Sequence, residues 1–147
     1  MFKHLLVPTD GSELSDGAVE RAVSFAREAG AKITFFTAKP DFPVSFYGEG
    51  ALVDPMTPEK FAEMAEQHAR EILNKAVREA LASHVECHTL SVVSDIPYEA
   101  IIKAADDNGC DLIFMASHGR RSLTGLLLGS ETQKVLTHSD IPVLVYR

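Results

Sequence analysis

The apolar residues of this chain change period again and again, and that alternation constrains the fold more than any other feature. Residues 4–9 (HLLVPT) form a short apolar run interrupted at Pro8 and predict a first strand. Ala18, Val19, Ala22, Val23, Phe25, Ala26 and Ala29 then recur at helical spacing, with Ser12 suited to cap the start and Gly30 the end. Residues 31–38 (AKITFFTA) predict a second strand. Thr57 and Pro58 suit the cap and first position of a long helix running to residue 83. Residues 85–93 alternate as a third strand, and a helix over 96–108 ends at Gly109. A nearly continuous apolar run over 110–117 is what a central parallel strand covered on both faces requires. A helix over 130–138 and a last strand, IPVLVYR, complete the order βαβαβαβαβ. That order predicts an α/β fold: a single five-stranded parallel open sheet, wound right-handed, with helices on both faces.

With 147 residues the chain is read as one domain, 1–147, able to bury about 70% of its unfolded surface. Residues 39–57, with Pro40, Pro43, Gly48, Gly50 and Pro55, read as a long surface loop. Net charge −7 argues against a nucleic-acid partner, whose footprint would be a basic face. No stretch approaches the roughly 18 apolar residues of a membrane span. The amino terminus, MFKHLLVPTDGS, lacks a signal-peptide pattern, so the expected location is the cytoplasm. Cys87 and Cys110 have no paired spacing and sit in strand-like contexts, which predicts two buried, reduced, structural thiols.

In open parallel sheets, ligands bind beyond the carboxyl ends of the strands, where the strand order reverses. Residues 116–132 (ASHGRRSLTGLLLGSET) leave the fourth strand at that edge. His118, Arg120 and Arg121 make the loop basic, and no carboxylate occurs between Asp111 and Glu131. Ser130 with Gln133 three residues on is a capping-box pattern, placing a helix start, and so an anion site, at Ser130. Gly129 lets backbone approach an anion, and Gly119 is expected in a left-handed turn out of the strand. Neither a G-x-x-x-x-G-K-[ST] nor a G-x-G-x-x-G motif is present. At the mouth of the first strand stands Pro8-Thr9-Asp10-Gly11-Ser12. Asp10 is either a turn residue or a carboxylate facing ribose hydroxyls or a phosphate-bound Mg²⁺. Likewise, Asp95 reads as a cap for the third helix.

Pro8-x-Asp10 together with Gly119, nine intervening residues and Gly129-Ser130 resembles the universal stress protein family. The resemblance spans the chain, from LLVPTDGS through DLIFMASHGR and LLLGSETQKVL to PVLVYR. It implies a Rossmann-like, adenine-nucleotide α-hydrolase-like fold, and its nucleotide-binding branch carries G-x-x-G-x9-G-[ST]. Ala116 stands where that motif has its first glycine; its methyl either crowds the ribose or forbids a positive φ. The resemblance implies ATP or AMP as ligand, with Pro8, Thr9 and Ala38 lining the adenine side. It puts Asp10 at the ribose or at Mg²⁺. It implies that Gly119, Gly129, Ser130, Glu131 and Thr132 bind the phosphates through backbone N–H groups or hydroxyls, with Ala116 beside the ribose and His118 and Arg120 adding positive charge to the same site.

The function implied is a nucleotide-binding stress-response regulator. Two alternatives are a slow ATP hydrolase of the same fold and a dimeric interaction module that binds no nucleotide. A phosphoacceptor receiver domain fits poorly, because Asp10 stands alone, Asp95 is misplaced and THSDIPV holds no lysine. The last strand is apolar on both faces and lies at the chain end, so it is expected at a sheet edge. An uncovered apolar edge is an aggregation hazard, which predicts a homodimer through that strand.

Overall fold

The computed structural model describes residues 1–43, 56–119 and 128–147. The five strands are β1 (His4–Pro8), β2 (Lys32–Lys39), β3 (Cys87–Val93), β4 (Leu112–Ala116) and β5 (Val143–Tyr146). Between them run α1 (Glu13–Ala29), α2 (Pro58–Ala82), α3 (Pro97–Asp107) and α4 (Ser130–His138). All strand pairs are parallel, in the order β3-β2-β1-β4-β5. The predicted α/β sheet is therefore observed, and the reversal of strand order falls between β1 and β4.

One face of the sheet is covered by α1 and α2, where Val19, Val23 and Leu73 pack on Leu5, Val7, Ile33, Phe35 and Phe114. The other is covered by α3 and α4, where Ile101, Ala105 and Val135 pack on Leu6, Phe36, Ile113 and Met115. Alternation along β1 sends Leu5 and Val7 to the first face and Leu6 to the second, as a doubly covered central strand must. Ser12 caps α1 by accepting from Ser15 N at 3.2 Å, and Thr57 caps α2 by accepting from Lys60 N at 3.2 Å. Gly30 and Gly109 end their helices at φ 66°, as their positions predicted.

The strand seams are unequal. β1 matches β2 over five residue pairs but β4 over only two, Leu5 with Leu112 and Leu6 with Ile113. Pro8 accounts for the difference. Lys3 O and Thr9 N bond to β2, whereas His4 O accepts from Asp111 N at 2.9 Å on the β4 side. Backbone alternation thus turns residue 8 toward β4, where proline has no N–H to give. At the opposite end the same seam is closed by Asp111, whose carboxylate accepts from Lys3 N and His4 N at 2.9 to 3.1 Å.

Several boundaries differ from the sequence reading. β3 begins at Cys87, two residues late, and Cys87 is half-buried because β3 lies at the sheet edge. Asp95 does not cap α3: the cap position is Ile96, with no side-chain bond, and Asp95 Oδ1 accepts from Asp41 N at 3.1 Å instead. Ser130 is the first residue of α4 and not its cap, which is Gly129. The capping box does not form, because Gln133 Nε2 donates to Leu128 O at 3.1 Å.

Candidate functional site

The loops leaving β1 and β4 meet at the point where the strand order reverses. On the β1 side, Thr9 N donates to Phe36 O at 2.8 Å, carrying the chain one residue past Pro8 alongside β2. The buried Thr9 hydroxyl is 2.6 Å from Ser15 Oγ, which also accepts from Asp10 N at 3.2 Å. Gly11 then takes φ 77°, and Ser12 N donates to Asp10 Oδ1 at 2.9 Å. This turn holds Asp10 just past the end of β1, beside Gly119 beyond the end of β4.

On the β4 side, Ala116 is a buried strand residue in register with Tyr146. The only non-glycine residue with positive φ among the described residues is His84, so Ala116 occupies no conformation reserved for glycine. Its carbonyl accepts from Thr132 Oγ1 at 3.0 Å, and Ser117 O accepts from Gly129 N at 2.7 Å. These two bonds draw the start of α4 up against the end of β4. Ser117, in sequence only the tail of an apolar run, is buried, with its hydroxyl 2.9 Å from His118 Nδ1.

Gly119 is not in the left-handed region, contrary to expectation. Its requirement is spatial: a β-carbon there would lie 2.7 Å from Asp10 Oδ2. The two motif halves, 109 residues apart in the chain, are therefore in contact. Gly129 has φ −60° and ψ 152°, extended values open to any residue.

α4 begins in this crevice with a glycine cap that has no side chain to offer its N–H groups. α1 and α2 have the hydroxyls of Ser12 and Thr57, and α3 has the carboxylate of Glu131, whose Oε2 accepts from Tyr98 N at 2.8 Å. Among the described residues, α4 alone has no side-chain acceptor at its start. Its first-turn N–H groups, those of Ser130, Glu131 and Thr132, lack intrahelical acceptors and carry the positive end of the helix dipole. The Glu131 and Thr132 side chains are turned to structural partners, while Ser130 is exposed.

Pro8 and Ala38 are half-buried at the carboxyl ends of β1 and β2, on the same edge as Asp10. Arg120 and Arg121 lie outside the described residues, as do Leu123, Leu126 and Leu127. No cluster of three metal-ligating side chains occurs among the described residues. One carboxylate, Asp10, is what a cation carried in by phosphate oxygens would need, since Mg²⁺ keeps few protein ligands at such sites. Two surface depressions, of about 790 and 410 Å³, lie elsewhere, along α2 beside Lys39 and beside Tyr98 and His138. Neither is lined by Asp10 or Gly119.

Comparison with known proteins agrees with the whole-chain resemblance. Universal stress protein MJ0577 of Methanocaldococcus jannaschii is 29% identical over 157 residues, covering 100% of this chain and 96% of that protein. Its solved structure superimposes with a TM-score of 0.81 at 28% identity, covering 99% of this chain and 95% of that one. A universal stress protein of Thermus aquaticus is 32% identical over 148 residues and the whole of both chains. A universal stress protein solved in complex with cAMP has a TM-score of 0.72 at 27% identity, covering 99% of this chain and 97% of that one. The description of the Universal stress protein family matches residues 1–147, and this chain belongs to that family.

Proposed function

We propose that this protein is an adenine-nucleotide-binding stress-response regulator that holds ATP or AMP in the crevice between β1 and β4. The observation that carries the reading is the start of α4. A helix terminus with no side-chain acceptor among the described residues, set at the reversal of strand order, is the arrangement that takes a phosphate. The cAMP complex of a relative supports an adenine nucleotide as the occupant. Pro8 and Ala38 would border the base. Asp10 would face the ribose or a phosphate-bound Mg²⁺, and the N–H groups of residues 130–132 the phosphates. Ala116 is compatible with this reading, because its backbone is ordinary strand. We further propose that the protein works in the cytoplasm as a homodimer joined along β5.

Calorimetry with ATP and Mg²⁺ tests the reading, with mass spectrometry of whatever nucleotide leaves the freshly purified protein on denaturation. Gly129→Val should fold, since its backbone angles suit any residue. It should lose about 2.7 kcal/mol of binding, a hundredfold, because a branched side chain would stand between backbone and phosphate. No heat from the wild type at millimolar nucleotide would overturn the proposal.

A further inference from the structure

Glu131 is the second residue of α4, one position into the turn whose N–H groups face the crevice. A carboxylate left there would oppose an anionic ligand. It is instead engaged by hydrogen bonding at the start of α3. There the cap residue Ile96 supplies no side-chain bond, and Pro97 has no N–H, so Tyr98 carries the first N–H of the helix. Glu131 Oε2 accepts that N–H at 2.8 Å, and Glu131 Oε1 lies 3.3 Å from Lys134 Nζ. Its charge thus meets the positive end of the α3 dipole and an ammonium group.

Tyr98 is gripped by α4 at two further places. Lys134 Nζ lies 5.4 Å from the centre of its ring, and the His138 ring is centred 5.3 Å away. Residues 131, 134 and 138 follow helical spacing along one side of α4, so one residue of α3 meets three of α4. The direction of the first turn of α4 is therefore fixed from α3 as well as from β4.

We propose that Glu131 is a positioning residue for the nucleotide site: by capping α3 at Tyr98 it aims the first turn of α4 while keeping its own charge off the phosphates. This rests on the nucleotide reading above. The ligand contact of residue 131 is then its backbone N–H, and the carboxylate serves α3.

The test measures AMP and ATP affinity by calorimetry for the wild type, Glu131→Gln and Glu131→Ala, with hydrogen exchange at the Tyr98 amide. Glu131→Gln keeps an acceptor for Tyr98 and should bind both nucleotides within about twofold of the wild type. Glu131→Ala should weaken both about tenfold and lose protection at Tyr98. Nucleotide should raise Tyr98 protection in the wild type and in Glu131→Gln but not in Glu131→Ala. If Glu131→Ala fails to fold, Glu131→Asp, one methylene too short for Tyr98, takes its place with the same expectation. Wild-type affinity in the shortened variant would overturn the inference alone. So would tighter ATP but unchanged AMP binding by Glu131→Gln, which would mean that the carboxylate faces the phosphates. Failure of the wild type to bind either nucleotide would overturn the functional reading and this inference together.

Discussion

Asp10 occupies the space that a side chain at residue 119 would need: a β-carbon on Gly119 would stand 2.7 Å from Asp10 Oδ2. The carboxylate is itself tethered, through Oδ1, to Ser12 N at 2.9 Å. Gly119→Ala should therefore displace or twist Asp10 with little loss of stability, because the atom met is the end of a side chain. Nucleotide affinity in the presence of Mg²⁺ should fall with it. The check is a double-mutant cycle: once Asp10→Ala has removed the carboxylate, Gly119→Ala should cost almost nothing more. Additive losses would show that the two residues act separately.

The cysteines differ in depth but agree in chemistry. Burial pushes the Cys110 thiol up to about 11, and burial followed by the nearby Glu86 carboxylate raises that of Cys87. Neither is a thiolate near neutral pH, and the thiolate is the reactive form. Titration of the native protein with a disulfide reagent at pH 7.5 should be slow for both, with half-buried Cys87 reacting first. Rapid stoichiometric reaction in the folded state would contradict this.

At the floor of the sheet, buried His4 has Nε2 2.8 Å from Thr34 Oγ1. Burial lowers its pKa from 6.5, with Lys32 and His88 pushing the same way and Asp111 and the Asn108 backbone opposing. The unfolded chain takes up this proton near pH 6.5 and the native chain at a lower pH. Stability from His4 is thus complete above the unfolded value and falls as pH drops through the native one. Burial would raise Asp111, but the N–H groups of His4 and Lys3 bring it below 3.8 on balance. Its contribution is present above that value and is lost as pH falls through its native pKa. Proton NMR of the His4 ring should give a midpoint below 6.5, and unfolding midpoints should decline in two stages on acidification.

β5 pairs with β4 through Val143, Leu144, Val145 and Tyr146, all half-buried, and its other edge has no strand partner among the described residues. Antiparallel pairing with a twofold mate would satisfy that edge. Sedimentation equilibrium at tens of micromolar should report a dimer, and Val145→Lys should weaken it. A wild-type monomer at that concentration would remove the homodimer from the proposal.

The element order was legible because each element carries its own period: the unbroken run of β4, the helical spacing of Ala18 to Ala29, the glycines at 30 and 109. Signals contained in a few neighbouring residues survived into the structure, as at Ser12 and Thr57. Others did not survive, one local and two overruled by tertiary approach. Ser130 and Gln133 have the letters of a capping box, yet Gln133 finds Leu128 O instead. Asp95 stands where a cap belongs, while α3 is served by Glu131 from 33 residues away. Gly119 reads locally as a site of conformational freedom, but its reason is the Asp10 side chain, which no local window contains.

The short seam between β1 and β4 divides the sheet into two leaves, one of three strands and one of two. Asp111 rivets the leaves together at the floor, and above Leu6 nothing in the strand ladder joins them. A ligand held at the reversal of strand order would touch both leaves, Asp10 on one and the first turn of α4 on the other, and so would bridge the part of the seam that the ladder leaves unpaired.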